Sequence, residues 1–377
     1  MEFITLELRP RLQSCNAFIA MRKDLDLKDV QVKLSESNIA LVLKDHNMDF
    51  SLPFIKIVPT SLSMLSIRNN WICFRLQMMP LNSVFGSFSV EVLTDSNKSA
   101  QLTCSQPILE DIKLLFKASE CIVLCACCKN VISKPTTFKR ALPLPDIQCS
   151  PDEWFCCKHS SNDIVNIETQ KSDYLYGSYF ALLHKNIFIN NLRIDNKTLT
   201  CDKCFLHIGA LYSCNLLKLW NCCVDYKPQD DTLSIVNATN PLDDFLIFIK
   251  DSLTNILGEE IILQTSIGKQ THYLLIKPMD RELNLITEPY HQIINTDAPI
   301  SLQQKCVAKV LYKYDTSKIA NTNNHWNVEY HEVSLPMIEA GLKHLLSSTE
   351  RLPHNNRNIA DYFLGYIALR ENVSKVL

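Results

Sequence analysis

Two stretches constrain the fold of this sequence most strongly, Cys125-Ala126-Cys127-Cys128 and Cys201-Asp202-Lys203-Cys204. Each places two cysteines three positions apart, a spacing at which one tight turn can offer two thiolates to a single metal ion. If all four thiolates bind one ion, segments separated by 72 residues must meet in space. The sequence therefore predicts a structural zinc site whose ligands are Cys125, Cys128, Cys201 and Cys204.

The distribution of cysteine favours metal binding over disulfide bonds. The chain has 377 residues and 16 cysteines, and 12 of the cysteines lie between Cys121 and Cys223. Its first residues alternate polar and apolar side chains and lack the basic start and apolar run of a secretory signal peptide. We therefore expect a reducing compartment, the cytoplasm or the nucleus, where disulfides are rare. Four scattered cysteines stand in apolar contexts and are expected to be core thiols: Cys15, Cys73, Cys104 and Cys306.

Overall composition excludes several classes of function. A net charge of −2 and a pI near 6.5 give no basic surface for direct nucleic-acid binding. No apolar stretch reaches the roughly 20 residues of a membrane span, so we expect no membrane partner. Only seven glycines occur, and the closest pair, Gly258 and Gly268, is too widely spaced for a Rossmann or Walker phosphate loop.

Hydrophobic periodicity predicts an α+β chain in three parts. Residues 1–120 form a β-rich N-terminal domain, because short stretches of alternating polar and apolar residues recur between turn residues, as in an antiparallel sandwich or barrel. Residues 121–230 form the cysteine-rich, zinc-bearing region. Residues 231–377 form a C-terminal domain that mixes helices and strands.

Individual elements follow from the same patterns. Helices are predicted over 108–119, from Pro241 onward, over 335–347 and over 359–370. Strands are predicted over 261–265, 273–278, 283–287 and 307–314. The adjacent Cys222 and Cys223 are predicted on a strand, where neighbouring side chains point to opposite faces, and are therefore expected to pack in the core rather than bind one ion.

The ligand set of the metal site has alternatives. Cys127 adjoins Cys128 and could replace it. Cys156 and His159 have ligand spacing and, with Cys157, could complete the first pair or form a separate site, or could be ordinary loop residues. Cys149 is predicted in a loop, but its acidic neighbours disfavour a reactive thiolate, so no catalytic residue is assigned.

The order of motifs along the chain resembles the HECT-like family of proteins that bind a ubiquitin-conjugating enzyme. The resemblance covers residues from about 120 to about 370. Each motif alone is loose, whereas their order and spacing are fairly specific. In chain order they are Cys125–Cys128, Leu142-Pro143-Leu144-Pro145, Trp154-Phe155-Cys156-Cys157-Lys158-His159, Tyr176–Leu183, Cys201–Gly209, Leu217–Trp220, Arg351–Arg357 and Gly365.

The resemblance implies ubiquitin-protein ligase-like activity, in which ubiquitin passes from a conjugating enzyme to a lysine. It also implies, for some members, a link to the endonuclease that cleaves pre-mRNA 3′ ends. The sequence departs from the family pattern at Cys157, which stands where the family has histidine. HECT ligases carry a thioester cysteine near the chain end, whereas here no cysteine follows Cys306.

Two functional hypotheses follow. The chain is a ubiquitin ligase or ligase-like adaptor, or it is a non-enzymatic binding protein, chaperone or inhibitor of the 3′-end-processing endonuclease. The second hypothesis rests on a proline-rich segment whose extended backbone costs little entropy to order on binding. Its predicted partner-binding residues are Leu142, Pro143, Leu144, Pro145, Cys149, Trp154, Cys156, Cys157 and His159.

Overall fold

The computed structural model describes residues 1–44, 47–79, 107–144, 170–195, 197–255, 260–268, 270–288, 300–316 and 328–370. Its helices are α1 (Pro107–Ala118), α2 (Pro241–Asn255) and α3 (Leu335–Thr349). Its strands are β1 (Phe3–Arg9), β2 (Ser14–Ala20), β3 (Gln31–Ser35), β4 (Asn38–Val42), β5 (Asn47–Ser51), β6 (Ser63–Arg68), β7 (Trp71–Gln77), β8 (Cys121–Cys125), β9 (Arg140–Pro143), β10 (Asp173–Tyr176), β11 (Phe180–His184), β12 (Leu192–Asp195), β13 (Thr198–Cys201), β14 (His207–Leu211), β15 (Leu216–Trp220), β16 (Val224–Pro228), β17 (Glu260–Ile267), β18 (Gln270–Thr287), β19 (Ile300–Ser301), β20 (Gln303–Asp315), β21 (Val328–Glu332), β22 (Asn358–Ile359) and β23 (Tyr362–Arg370).

The largest sheet joins strands from both ends of the chain. Its order is β22-β23-β20-β18-β1-β2-β7-β6, and β17 and β21 extend it beside the first half of β18. β1 pairs antiparallel with β18, with Thr5 opposite Thr287. The division of the chain at residues 120 and 230 stays a prediction, but this sheet draws strands from the first and the last predicted part.

A second sheet carries part of the cysteine-rich region. Its seven strands have the order β12-β13-β14-β15-β11-β10-β9 among the described residues. β8 and β16 form a separate antiparallel pair beside it, and β19, β5, β4 and β3 form a small four-stranded sheet. Strands thus outnumber helices greatly in the described chain, and the coarse prediction of a β-rich α+β protein is confirmed.

Two hydrophobic cores organise these layers. One lies between the N-terminal half of the large sheet and the small four-stranded sheet, and includes Ile4, Leu6 and Phe50. The other is larger and packs α2 and α3 together with the cysteine-bearing sheet, through side chains such as Phe245 and Trp220. Among the described residues, no helix is long and apolar enough to span a membrane.

The predicted last helix is wrong, because residues 362–370 form strand β23, paired with β20. The segment from Leu364 to Ile367 is buried at every position, so it shows no one-sided pattern from which a helix and a strand could be distinguished. Its aromatic and branched residues favour a strand. Gly365 lies against α3, where an added Cβ would approach Ser348 Oγ to 2.9 Å, so the small residue allows the helix to pack closely.

Two smaller sequence predictions also change. Cys222 and Cys223 lie in a short 3-10 turn, Asn221–Cys223, rather than on a strand, yet both are buried as expected. The strands predicted over 273–278 and 283–287 are parts of the single long strand β18. The helices predicted over 108–119, from Pro241 and over 335–347 are confirmed as α1, α2 and α3.

A buried carboxylate lies where sequence alternation predicts a solvent-facing side chain. Glu7 is fully buried, because β1 is an inner strand and both faces of the sheet are covered there. Lys309 Nζ lies 2.6 Å from Glu7 Oε1, and the Tyr366 hydroxyl donates to the same oxygen. Burial alone would raise the pKa of Glu7, but these partners outweigh it and lower the pKa below the ordinary value.

This lowered pKa makes stability depend on pH through one residue. The charged form of Glu7 stabilises the fold above the ordinary glutamate pKa of about 4.3, and this contribution is lost as the pH falls through the lower folded-state pKa. We expect Glu7→Gln to reduce the free energy of unfolding at pH 7 by about 1.5–3 kcal/mol. Urea denaturation at several pH values should show the difference from wild type shrinking under acidic conditions.

The matched control is Glu36→Gln. Glu36 is 60% exposed and lies 3.8 Å from Lys56, a pair that solvent screens, so the substitution should change stability little at any pH. A pH-independent difference between wild type and Glu7→Gln would contradict the assignment.

Candidate metal centre

Four thiols converge between the cysteine-bearing sheet and the β8–β16 pair. The Sγ atoms of Cys125, Cys128, Cys201 and Cys204 all lie within 4.8 Å of one another. The separations of Cys125 from Cys204 and of Cys128 from Cys201 are both 3.6 Å. A zinc–sulfur bond of about 2.3 Å in a tetrahedron places sulfur atoms about 3.8 Å apart. The donor set and its dimensions therefore fit a four-coordinate metal ion such as zinc, and all four cysteines are free thiols.

The first pair sits in a tight turn at the end of β8. Cys125 closes the strand, and the backbone N–H of Lys129 donates to its carbonyl oxygen at 2.9 Å. The N–H of Cys125 in turn donates to the Asn130 carbonyl at 2.9 Å. Lys129 adopts a left-handed backbone with φ 57°, a conformation that costs a residue with a side chain about 1–2 kcal/mol.

The second pair repeats this geometry at the end of β13. The N–H of Phe205 donates to the Cys201 carbonyl at 2.9 Å, and the N–H of Cys201 donates to the Leu206 carbonyl at 3.0 Å. Phe205 has φ 59°, at the position equivalent to Lys129. The same turn is thus built twice from unrelated flanking residues, and each copy aims two thiols at one point.

Two asparagine side chains join the turns in opposite directions. Asn130, from the first turn, directs Nδ2 at Cys201 Sγ at 3.6 Å. Asn191, which precedes β12, donates from Nδ2 to the Val131 carbonyl at 2.9 Å. Its own carbonyl accepts from the N–H of Asp202, inside the second turn, at 3.0 Å. Protein contacts therefore hold the turns together in addition to any shared ion.

The first turn is also tied to β16. Lys129 Nζ lies 2.7 Å from Asp225 Oδ2, and the other carboxylate oxygen accepts from the N–H of Ala238 at 2.9 Å. The N–H of Ala126 donates to the Cys223 carbonyl at 3.0 Å. These contacts anchor both the backbone and the side chain of a strained turn.

The protonation of the thiols follows their surroundings. Burial raises the pKa of Cys125. Burial acts in the same direction on Cys201, but hydrogen bonds from the N–H groups of Cys204 and Lys203 outweigh it and lower the pKa to about 7. Four thiolates this close would repel one another strongly, and a divalent cation offsets that repulsion. The chemistry of the cluster therefore favours a metal-bound state.

The alternative metal ligands considered from the sequence are not part of the described cluster. Cys127 is exposed and its thiol is not part of the cluster, because the turn directs it outward between Cys125 and Cys128. The other alternative ligands lie outside the described residues: Cys156, Cys157 and His159. So do three of the predicted partner-binding residues, Pro145, Cys149 and Trp154. Cys104 lies outside them as well, while Cys15 is buried and Cys73 and Cys306 are half-buried.

The described part of the proline-rich segment is an edge strand. β9 pairs with β10 in parallel and ends the cysteine-bearing sheet on that side. Leu142 is exposed, whereas Leu144 packs against the core and donates from its N–H to the Tyr176 carbonyl at 2.7 Å. The extended backbone agrees with the sequence interpretation, and a partner at this segment stays a prediction.

Several motifs of the sequence have a packing role. Phe180 and Trp220, from two of them, stand opposite each other on β11 and β15. The Lys218 ammonium lies over the Trp220 ring, 4.3 Å from the ring centroid, and burial lowers the pKa of Lys218 to about 8.

Arg351 donates hydrogen bonds to both carboxylate oxygens of Glu288 at 2.7 Å, so it holds the loop after α3 against the end of β18.

Sequence reasoning missed the asparagines and the aspartate that support the cysteine turns. Asn130 stands two residues after Cys128, a position at which no local rule demands asparagine. Asn191 and Asp225 lie far away in sequence, and only the sheet pairing brings them to the site. Contacts between residues so far apart in the sequence can be found only from the three-dimensional structure.

Comparison with known proteins adds one assignment. No curated protein and no solved structure matches the chain. The family described as HECT-like ubiquitin-conjugating enzyme (E2)-binding matches residues 7–364. This range includes both cysteine turns and both halves of the large sheet, so the match is not limited to one motif. The chain therefore belongs to the HECT-like ubiquitin-conjugating enzyme (E2)-binding family.

Proposed function

We propose that this protein binds a ubiquitin-conjugating enzyme and promotes ubiquitin transfer as a ligase-like adaptor. The observation that carries the proposal is the family match across residues 7–364. The adaptor positions the charged conjugating enzyme near an acceptor lysine, and such positioning alone can accelerate a reaction strongly. The four-cysteine centre has a structural role in this scheme.

The position of Cys306 supports an adaptor over a covalent relay. Cys306 lies within β20, opposite Asn284 of β18 and Arg370 of β23, in the interior of the large sheet rather than on a separate C-terminal lobe. A thioester-forming cysteine needs access to the conjugating enzyme and a lowered pKa.

A discharge assay tests this proposal. A conjugating enzyme charged with ubiquitin should lose its thioester to free lysine faster when the full chain is present, and no thiol-sensitive ubiquitin adduct should form on the chain itself. Non-reducing gels with and without thiol distinguish the two routes. An adduct that disappears in Cys306→Ser would replace the adaptor with a covalent relay, while absence of both binding and discharge would refute the function.

We further propose that the four cysteines hold structural zinc. Cys125, Cys128, Cys201 and Cys204 supply four thiolates, and zinc prefers four such ligands in structural sites. A four-thiolate shell leaves no open position for substrate or water, so the centre supplies stability rather than catalysis. The paired left-handed turns and the asparagine contacts support this proposal, because they orient the thiols independently of the ion.

Metal analysis tests the zinc proposal. Purified protein should contain about one zinc per chain, and Cys201→Ser should lose the zinc and lower the melting temperature, because ion binding is coupled to folding. Cys214→Ser is the matched control, since Cys214 is exposed and outside the cluster. Wild-type protein that is folded and free of metal would overturn the proposal.

Asn130 provides a finer test of the same centre. Asn130→Ala removes the N–H that points at Cys201 Sγ, and loss of such a supporting contact commonly lowers metal affinity by about tenfold or more. Competition with a chromophoric chelator should show weaker zinc retention at unchanged stoichiometry. Asn215→Ala, at an exposed asparagine outside the cluster, should retain zinc as wild type does. Equal retention in both variants would remove Asn130 from the site.

A further inference from the structure

Lys218 lies on an inner strand of the cysteine-bearing sheet. On β15 it stands opposite Leu182 of β11 and Ala210 of β14. Its sequence neighbours Leu217 and Leu219 are fully buried. A lysine among such residues must either extend its ammonium group to water or hold it in an apolar environment.

Three aromatic rings lie around the Lys218 amine. The distances from Nζ to the ring centroids are 4.3 Å for Trp220, 4.4 Å for Phe180 and 5.8 Å for Tyr179. All three aromatic residues are buried, so apolar surface takes the place of water on this side of the amine. Lys218 therefore holds its amine in a largely apolar environment, although the residue as a whole is only half-buried.

The polar contacts of this amine are few. Nζ donates one hydrogen bond, at 3.3 Å, to the main-chain carbonyl of Glu332 at the end of β21, and this hydrogen bond is exposed to solvent. Lys309, another half-buried lysine, lies 2.6 Å from a carboxylate oxygen of Glu7, whereas Lys218 forms no such ion pair with the described residues. Small molecules can therefore approach an unpaired amine from the side of β21.

The protonation of Lys218 follows from these surroundings. Burial lowers the pKa of Lys218 to about 8, although attraction to the Glu332 carboxylate acts in the opposite direction. The aromatic faces also favour the charged form, but the loss of hydration is the largest influence. An amine with this pKa is about 10% uncharged at pH 7, whereas an ordinary lysine is about 0.04% uncharged. Lys218 is therefore nucleophilic at a pH at which an ordinary lysine is not.

The neighbouring titratable groups do not obscure the titration of this amine. Burial raises the pKa of the Tyr179 phenol and lowers the pKa of His207, so both are uncharged at pH 7. His331 of β21 contacts α2 with its ring. The Glu332 carboxylate is thus the charge that acts on Lys218. The pH dependence of reactions at Lys218 reports on its own amine.

We propose that Lys218 is a modification site whose amine accepts an acyl group from a small thioester. The uncharged amine attacks the carbonyl carbon of the thioester, a C–N bond forms and the C–S bond breaks. The amine proton leaves with the sulfur as a free thiol, so the reaction needs no oxidant and no other reagent. The product is a neutral amide, which avoids the cost of a buried charge among the aromatic rings. This site is separate from the cysteine cluster and does not require the proposed ubiquitin function.

Acetyl-coenzyme A is the probe that tests this site. The folded full chain is incubated with it, treated with dithiothreitol to remove acetyl groups from cysteines, and analysed by peptide mass spectrometry. Lys218 should be acetylated about tenfold faster than Lys277, because its larger uncharged fraction outweighs the weaker nucleophilicity of a less basic amine. Lys277 is the internal reference, since it also lies beside an aromatic ring but is 47% exposed and pairs with Glu260.

The pH dependence and the unfolded chain supply the second measurement. The rate at Lys218 should reach half its maximum near pH 8, whereas the rate at Lys277 should keep rising towards its own higher pKa. In urea the two lysines should react at similar rates, because the rings no longer surround Lys218. By intact mass, Lys218→Arg should remove the first acetyl group that the chain acquires, and the matched variant Lys277→Arg should not.

Three results would overturn the proposal. The first is acetylation of Lys218 no faster than that of Lys277 in the folded wild-type chain, which would show an amine that is charged or out of reach. The second is a rate at Lys218 that keeps rising above pH 8 in parallel with that at Lys277. The third is a preference for Lys218 that persists in urea, which would show that the local sequence rather than the fold makes it reactive.

Discussion

The structure depends on the pairing of its first strand with β18, because this pairing places the N-terminal and C-terminal strands in one sheet. Two charged contacts accompany it, one buried and one half-buried. Glu7 meets Lys309 of β20, and Arg351 meets Glu288 while also donating to the Ile4 carbonyl. Buried charges without partners are strongly unfavourable, so these contacts disfavour other registers of the same strands. The apolar cores supply the stability, and the charges help to select one arrangement.

The four-cysteine cluster lies at a similar junction in the middle of the chain. The seven-stranded sheet and the β8–β16 pair do not share a ladder, yet each ends in one of the two cysteine turns. Four thiols and the side chains of Asn130 and Asn191 connect them at this point. An ion shared by the four thiols would close a long loop, and closing long loops restricts the unfolded chain most. The left-handed turns cost conformational energy that the surrounding contacts offset.

Features that depend on local interactions could be predicted from the sequence, whereas features that depend on contacts between distant segments could not. The four clustered thiols come from a local spacing rule, and the three confirmed helices come from periodicity and helix-start residues. The wrong predictions concern residues that are buried by segments far away in the sequence. Glu7 lies on an inner strand although its neighbours alternate as on a surface. Residues 364–367 are buried at every position and so lack a helical or strand period. Asn191 and Asp225 could not be associated with the site before the strand pairing was known.

These features together locate where function can reside. An ion held by the four cysteines would have no open coordination position, and Cys306 is half-buried on β20. Strand edges remain as places at which a rigid β-rich scaffold can present backbone groups to other proteins. β9 and β6 end different sheets and differ in chemistry. β9 carries Pro143 and Arg140, which pairs with Asp173 of β10, whereas β6 is mostly apolar with Arg68 at its end.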